Sequence, residues 1–238
     1  MIHLPDHPGK SRPTTVGATL ALAMAIGASL AGSSGSLGTA PLVLVAIGVA
    51  FLPLGVAFGR RGHPLVGRGL SVSGVVVALA ALTGAIALSP PLVILLPALS
   101  SGIGLLFLAF GVHFVSGSAA RALSLAGLTL VFLATVANAT VAEQATWQPV
   151  AAVALVVVAW DTADRAITLG RRIGTDAGTV PVELMGVATT GAIGFTGVAV
   201  AMIATRVPIE SPSVIGLALL LAAATALVLV LSSVPDPG

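Results

Sequence analysis

From Arg12 to Arg60 the sequence runs 47 residues without a charged side chain, and from Arg68 to Arg121 it runs 52. A charge at the centre of a spanning helix costs about 2.5–3.5 kcal/mol, so such intervals are where membrane spans belong. One span takes about 20 residues, and each interval therefore holds two helices and a turn. The first turn reads as the Ser- and Gly-rich stretch 33–41, the second as Ser89-Pro90-Pro91. Four shorter uncharged intervals hold one span each: 21 residues after Arg121, 17 after Glu143, 22 after Glu183 and 25 after Glu210. The gaps predict eight spans, near residues 14–32, 41–58, 70–88, 91–110, 122–138, 149–167, 184–205 and 214–231.

Composition agrees with that reading. Of 238 residues 57% are hydrophobic and 8% charged, against roughly a quarter charged in a soluble domain. A water-exposed surface cannot be built from so few charges. The apolar runs are continuous, whereas barrel strands alternate, and a helix satisfies its backbone polar groups within one segment. The expected fold class is an all-α integral membrane protein, a bundle of eight transmembrane helices in four hairpins with short external turns. It forms a single transmembrane domain over residues 1–238 with a short cytoplasmic tail at 1–13. With that tail inside, nine of the ten Lys and Arg fall on the cytoplasmic side and only Arg206 outside, as the positive-inside rule requires. Both termini are then cytoplasmic and the membrane is the plasma membrane. Lys10 and Arg12 ahead of the apolar run 16–31 also imitate a signal peptide, but the length of that run and its hairpin with the second span favour a retained helix.

Weaker patterns lie within the spans. Arg68-Gly-Leu-Ser71 with Gly74 echoes Arg121-Ala-Leu-Ser124 with Gly127 at a period of 53 residues; such a repeat would be parallel. Gly186, Thr190, Gly194 and Gly197 form a stripe of small residues for helix packing in the seventh span. Pro53 and Pro97 each remove one backbone donor inside a span and are expected to kink it.

Chemistry is sparse. The net charge is +2 and there is no tyrosine, which gives no footprint for nucleic acid. With no cysteine, thiolate metal sites and cysteine nucleophiles are excluded. The histidines, His3, His7, His63 and His113, avoid span centres, so no Ser–His pair forms at depth. No two carboxylates sit at matched depth in separate spans. No cofactor, metal or catalytic residue is expected.

The sixth span is the informative one. Its apolar run, 149–160, is only 12 residues, about 18 Å of helix against a hydrocarbon core near 30 Å. The helix must continue through Asp161-Thr-Ala-Asp-Arg165 toward Arg171 and Arg172. Asp161, Asp164, Arg165, Thr168, Arg171, Arg172 and Thr175 then share one face, and Ala163, Ala166, Ile167, Gly170 and Ile173 the other. Asp161 stands four residues before Arg165, the favourable order for an ion pair. Residues 161–182 are therefore expected to be a cytoplasmic amphipathic helix and loop, with Trp160 as an interfacial anchor. Asp161 and Asp164 either neutralise the start of that helix or form a polar site for proton coupling or a cationic ligand.

The stretch from Ala159-Trp-Asp through Leu169-Gly to Gly174, followed by Glu183, resembles a family of uncharacterised haloarchaeal multi-pass membrane proteins found at loci for MoxR-type ATPases. The likeness covers residues 159–184 and departs from the family at Arg171 and Arg172. It implies an archaeal plasma membrane and an accessory role in a multiprotein assembly. The functional expectation is a non-enzymatic scaffold or assembly component whose partners are the lipid bilayer and other membrane proteins. The alternative is a small-solute permease or exporter, whose polar lining would come from Ser100, Ser101, Thr83, Thr135, Thr189, Thr190 and Thr196.

Overall fold

A computed structural model describes residues 13–33, 35–88, 91–141, 147–173 and 180–204. These residues form seven helices: α1 (Thr15–Ala31), α2 (Gly35–Arg60), α3 (Pro64–Ala87), α4 (Leu92–His113), α5 (Gly117–Val141), α6 (Trp147–Ile173) and α7 (Val180–Ala204). Five of them, α2, α3, α4, α5 and α7, are long and apolar enough to cross a membrane; α1 is apolar but has 17 residues. The expected eighth span, 214–231, lies outside the described residues. The chain divides into two compact units, 1–202 and 203–238. Only residues 203 and 204 of the second are described.

Helices of the first unit pack through small residues. The closest neighbours are α2 with α3, α4 with α5, and α1 with α6. The expected hairpins instead joined the first span to the second and the third to the fourth. The tight pairs are thus connected by turns of three residues, Arg61–His63 and 114–116, and not by long basic loops. Gly62 and Gly117 take positive φ values, 86° and 71°, a conformation glycine adopts without the cost of a Cβ. Pro64 then starts α3 at a position where its missing N–H costs nothing.

Both tight pairs are zipped by glycine at matching heights. A Cβ on Gly48 would stand 2.6 Å from the carbonyl oxygen of Gly74, and one on Gly104 would stand 2.5 Å from that of Gly127. Lower down, Gly55 meets Gly67 and Ser71, while Gly111 meets Ala120 and Ser124. The contacts reveal a second register beside the 53-residue echo of α3 in α5. Shifted by 56, residues 41–58 of α2 match residues 97–114 of α4 at eight of eighteen positions: Pro41, Ile47, Gly48, Phe51, Leu52, Gly55, Val56 and Phe58. Thus α2–α3 and α4–α5 repeat one hairpin pattern, the second with three fewer residues between its matched positions.

α1 packs against α2, α4, α5 and α6. Its Ala18, Ala21, Leu22, Ala25 and Ala28 are buried, and Ser101 of α4 donates a 2.8 Å hydrogen bond to Ser29 within that core. At the opposite end of α1, the backbone N–H of Thr14 donates to the carbonyl of Ala166 at 3.1 Å. Arg60 and Arg121 cluster near this end, the basic end of the bundle. Large apolar side chains turn outward instead, including Leu65 (81% exposed), Phe195 (76%) and Ile193 (69%). In water so much exposed apolar surface would aggregate; in lipid it is the required solvent face.

Candidate functional site: a charged brace across α5, α6 and α7

The second half of α6 carries the charges its sequence pattern placed on one face. Ala163, Ala166, Ile167 and Gly170 are buried, while Asp161, Asp164 and Thr168 are half-buried and Arg165 and Arg171 exposed. The helix runs unbroken from Trp147 to Ile173. Its amphipathic part stays packed against α1, where a Cβ on Gly17 would meet that of Ala166 at 2.7 Å.

Two ion pairs organise the face. Arg165 Nε donates to Asp161 at 3.0 Å and 2.9 Å from its two carboxylate oxygens, one helical turn away. Arg121 Nε of α5 donates to Asp164 Oδ1 at 2.7 Å. From α7, the Thr190 hydroxyl donates to Asp161 Oδ2 at 2.6 Å, and Arg165 Nη2 reaches the same hydroxyl at 3.4 Å. Asp161 therefore ties α6 to α7, and Asp164 ties α6 to α5. Each carboxylate oxygen that the brace uses accepts a charge-assisted or hydroxyl hydrogen bond.

Glu183, in the first turn of α7, is 5% exposed and faces Gly17 of α1. Its sign suits the positive end of a helix dipole. The sequence marks Glu183 as the charge that opens the interval of the seventh span, which fits its place in the first turn of α7, but nothing in the sequence indicates its burial. Beside the brace a cavity of about 310 Å³ is lined by Thr162, Asp164, Arg165, Thr168 and Glu183. Arg165 passes closely over Gly186, where a Cβ would stand 2.5 Å from Nη1. Gly194 sits opposite Val158 and Ala154 of α6, but among the described residues no other helix comes within 4 Å of where a Cβ on Gly197 would stand. Trp160 is exposed. Arg171 has no part in the two ion pairs, and the side chain of Arg172 is outside the described residues. Among the described residues no three His, Asp or Glu side chains gather as metal ligands.

Long apolar helices with lipid-type exposure, joined by short turns and braced by charges at one end, define a polytopic α-helical membrane protein. The chain belongs to DUF7519, a family of unknown function, whose pattern matches residues 71–228, about two thirds of the sequence. That span contains the brace and the second hairpin copy, and leaves α1 and α2 outside it. No curated protein matches the chain, and no solved structure does.

Proposed function

We propose that the chain is a non-enzymatic scaffold or accessory component of an assembly in the plasma membrane, with eight spans and both termini cytoplasmic. The observation that carries this reading is the brace. Asp161, Asp164, Arg121 and Arg165 are engaged with one another and with Thr190, which suits a device that fixes helix positions. The polar residues that would line a transport path are dispersed. Thr83, Thr135, Thr189 and Thr196 donate to carbonyls of their own helices, and Ser101 to Ser29. None of them lines any of five surface cavities of about 310–470 Å³. The resemblance of residues 159–184 implies an archaeal plasma membrane and an accessory role in a multiprotein assembly.

A permease is the second reading, favoured by the duplicated hairpin, since transporter folds are often built from repeats. Purification from native membranes in mild detergent, with partner stoichiometry measured, separates the two. The scaffold reading expects a defined complex with fixed subunit ratio and no solute flux after reconstitution into vesicles. A chain that purifies alone and conducts a solute in proteoliposomes overturns it.

A further inference from the structure

A second cavity at the basic end, about 360 Å³, lies between α1, α2 and α4. Val56 and Val112, equivalent positions of the two hairpin copies, both line it. The copies differ there in polarity. His113 replaces the first copy's Ala57, and Arg60 stands where the second copy has Ser116. Thr15, the first residue of α1, completes the polar part of the wall.

Three features give this cavity a ligand chemistry. Arg60 is exposed at its rim and donates to the Thr15 hydroxyl, which holds the guanidinium over the start of α1. Thr14 provides no side-chain cap for α1, and no acidic residue occupies its first turn. The Glu183 carboxylate lies against Gly17, on the face of α1 packed on Ala166; on the face of Thr15 and Ala18, which lines the cavity, the helix dipole favours an anion. His113 is 8% exposed; Nδ1 lies 3.2 Å from the carbonyl of Ala109, and Nε2 is buried with no hydrogen-bond partner among the described residues. Contact with that carbonyl places a proton on Nδ1, so in the neutral ring Nε2 is a bare acceptor. A simple carboxylate would satisfy Arg60 and leave Nε2 unpaired. A ligand with both an anionic oxygen and an O–H satisfies both.

We propose that this cavity binds a phosphate group that bears, or neighbours, a hydroxyl. The anionic oxygens face Arg60, Thr15 and the start of α1, and the hydroxyl donates to His113 Nε2. The volume is in the range of small-ligand pockets. Two sources carry this chemistry: the headgroup of a phosphatidylglycerol-type lipid, and monoanionic free phosphate.

The test uses the full chain in mild detergent, titrated separately with sodium phosphate, with phosphatidylglycerol and with phosphatidylcholine. Thermal melting and native mass spectrometry are the readouts. Phosphatidylcholine, which lacks the hydroxyl, is expected to stabilise least. Stabilisation by phosphatidylglycerol without a response to phosphate assigns the lipid source, and a response to phosphate itself assigns the free ion. Arg60→Gln should weaken binding about tenfold, the loss of one charge-assisted contact, and His113→Phe should erase the preference for the hydroxyl-bearing headgroup. Arg68→Gln, which removes an exposed charge elsewhere on the chain, should bind like wild type. If His113→Phe does not fold, Arg60→Gln carries the test alone, because its side chain is exposed. Binding by neither probe, wild-type binding by Arg60→Gln, or an equal loss in Arg68→Gln overturns the proposal.

Discussion

Asp161 accepts from two partners at once, Arg165 on its own helix and Thr190 on α7, and this makes its pairing open to a double-mutant cycle. Its side chain is 31% exposed and that of Arg165 49%, so solvent screens the pair and its worth is about 1 kcal/mol or less. Arg165→Leu removes the cation and leaves a half-buried carboxylate with only the Thr190 hydroxyl. Melting temperature and membrane abundance should fall modestly. Combining Asp161→Asn with Arg165→Gln removes both charges together and should recover most of that loss. A stable, abundant Asp161→Asn protein that has lost its cellular function would instead mark Asp161 as a coupling or ligand site. The spacing of Asp161 and Arg165 made their contact legible in the sequence, because i and i+4 share a helical face. The Arg121–Asp164 bridge was not legible: 43 residues separate the partners, and nothing local sets the rotation of α5 against α6. For the same reason the cavity of Thr15, Arg60 and His113 was invisible, since each residue comes from a different helix.

At the level of helices, the gaps between charges located α1 to α7 closely because lipid penalises charge at every turn of a span. The sequence was less informative about which helices touch. Apolar side chains gain nothing by leaving lipid for one another, so packing is decided by where backbones can approach. Gly48, Gly74, Gly104 and Gly127 mark those places, yet glycine is so frequent here, at 28 residues, that the four did not stand out. The repeat was half-visible for a geometric reason. A single period of 53 captures the α3–α5 echo and misses α2–α4, because three fewer residues separate the matched positions of the second hairpin and the α2–α4 register is 56. Glycine's role in the zip is testable. Gly127→Val would drive side-chain atoms into the backbone of α4, where a Cβ already stands 2.5 Å from Gly104 O and 2.6 Å from Leu108 N. Neither atom can move without shifting the helix, so the loss should be about 1–3 kcal/mol, seen as a lower melting temperature in detergent. Gly84→Ala on α3 meets nothing within 4 Å and should leave the melting temperature unchanged or slightly higher, since alanine is the better helix former. Equal effects from the two substitutions would refute the zipped-hairpin account.

For the whole molecule, the open quantity is the direction in which the bundle is inserted. The fold gathers one polarity at one end: Arg60 meets Thr15, the Thr14 N–H meets Ala166, and Arg121 meets Asp164. The start of α1, the end of α2, the start of α5 and the charged half of α6 therefore share a side. The turn between α2 and α3 carries Arg61 on that same side. Such a concentration of arginine is retained on the cytoplasmic face during insertion. A reporter active only in the cytoplasm should therefore work when inserted at Gly62, and one active only outside should work when inserted near Ser36, at the start of α2. Fusion after Gly238 tests the eighth span separately. An even number of spans returns the chain to the side of its N-terminus, so the cytoplasmic reporter should be active there too. Activity of the external reporter at Gly238, with the Gly62 result unchanged, would mean that the number of spans is odd. Reversal at both Gly62 and Ser36 would mean that the bundle is inserted with its basic end outward, and the phosphate-binding cavity of α1, α2 and α4 would then face the opposite leaflet.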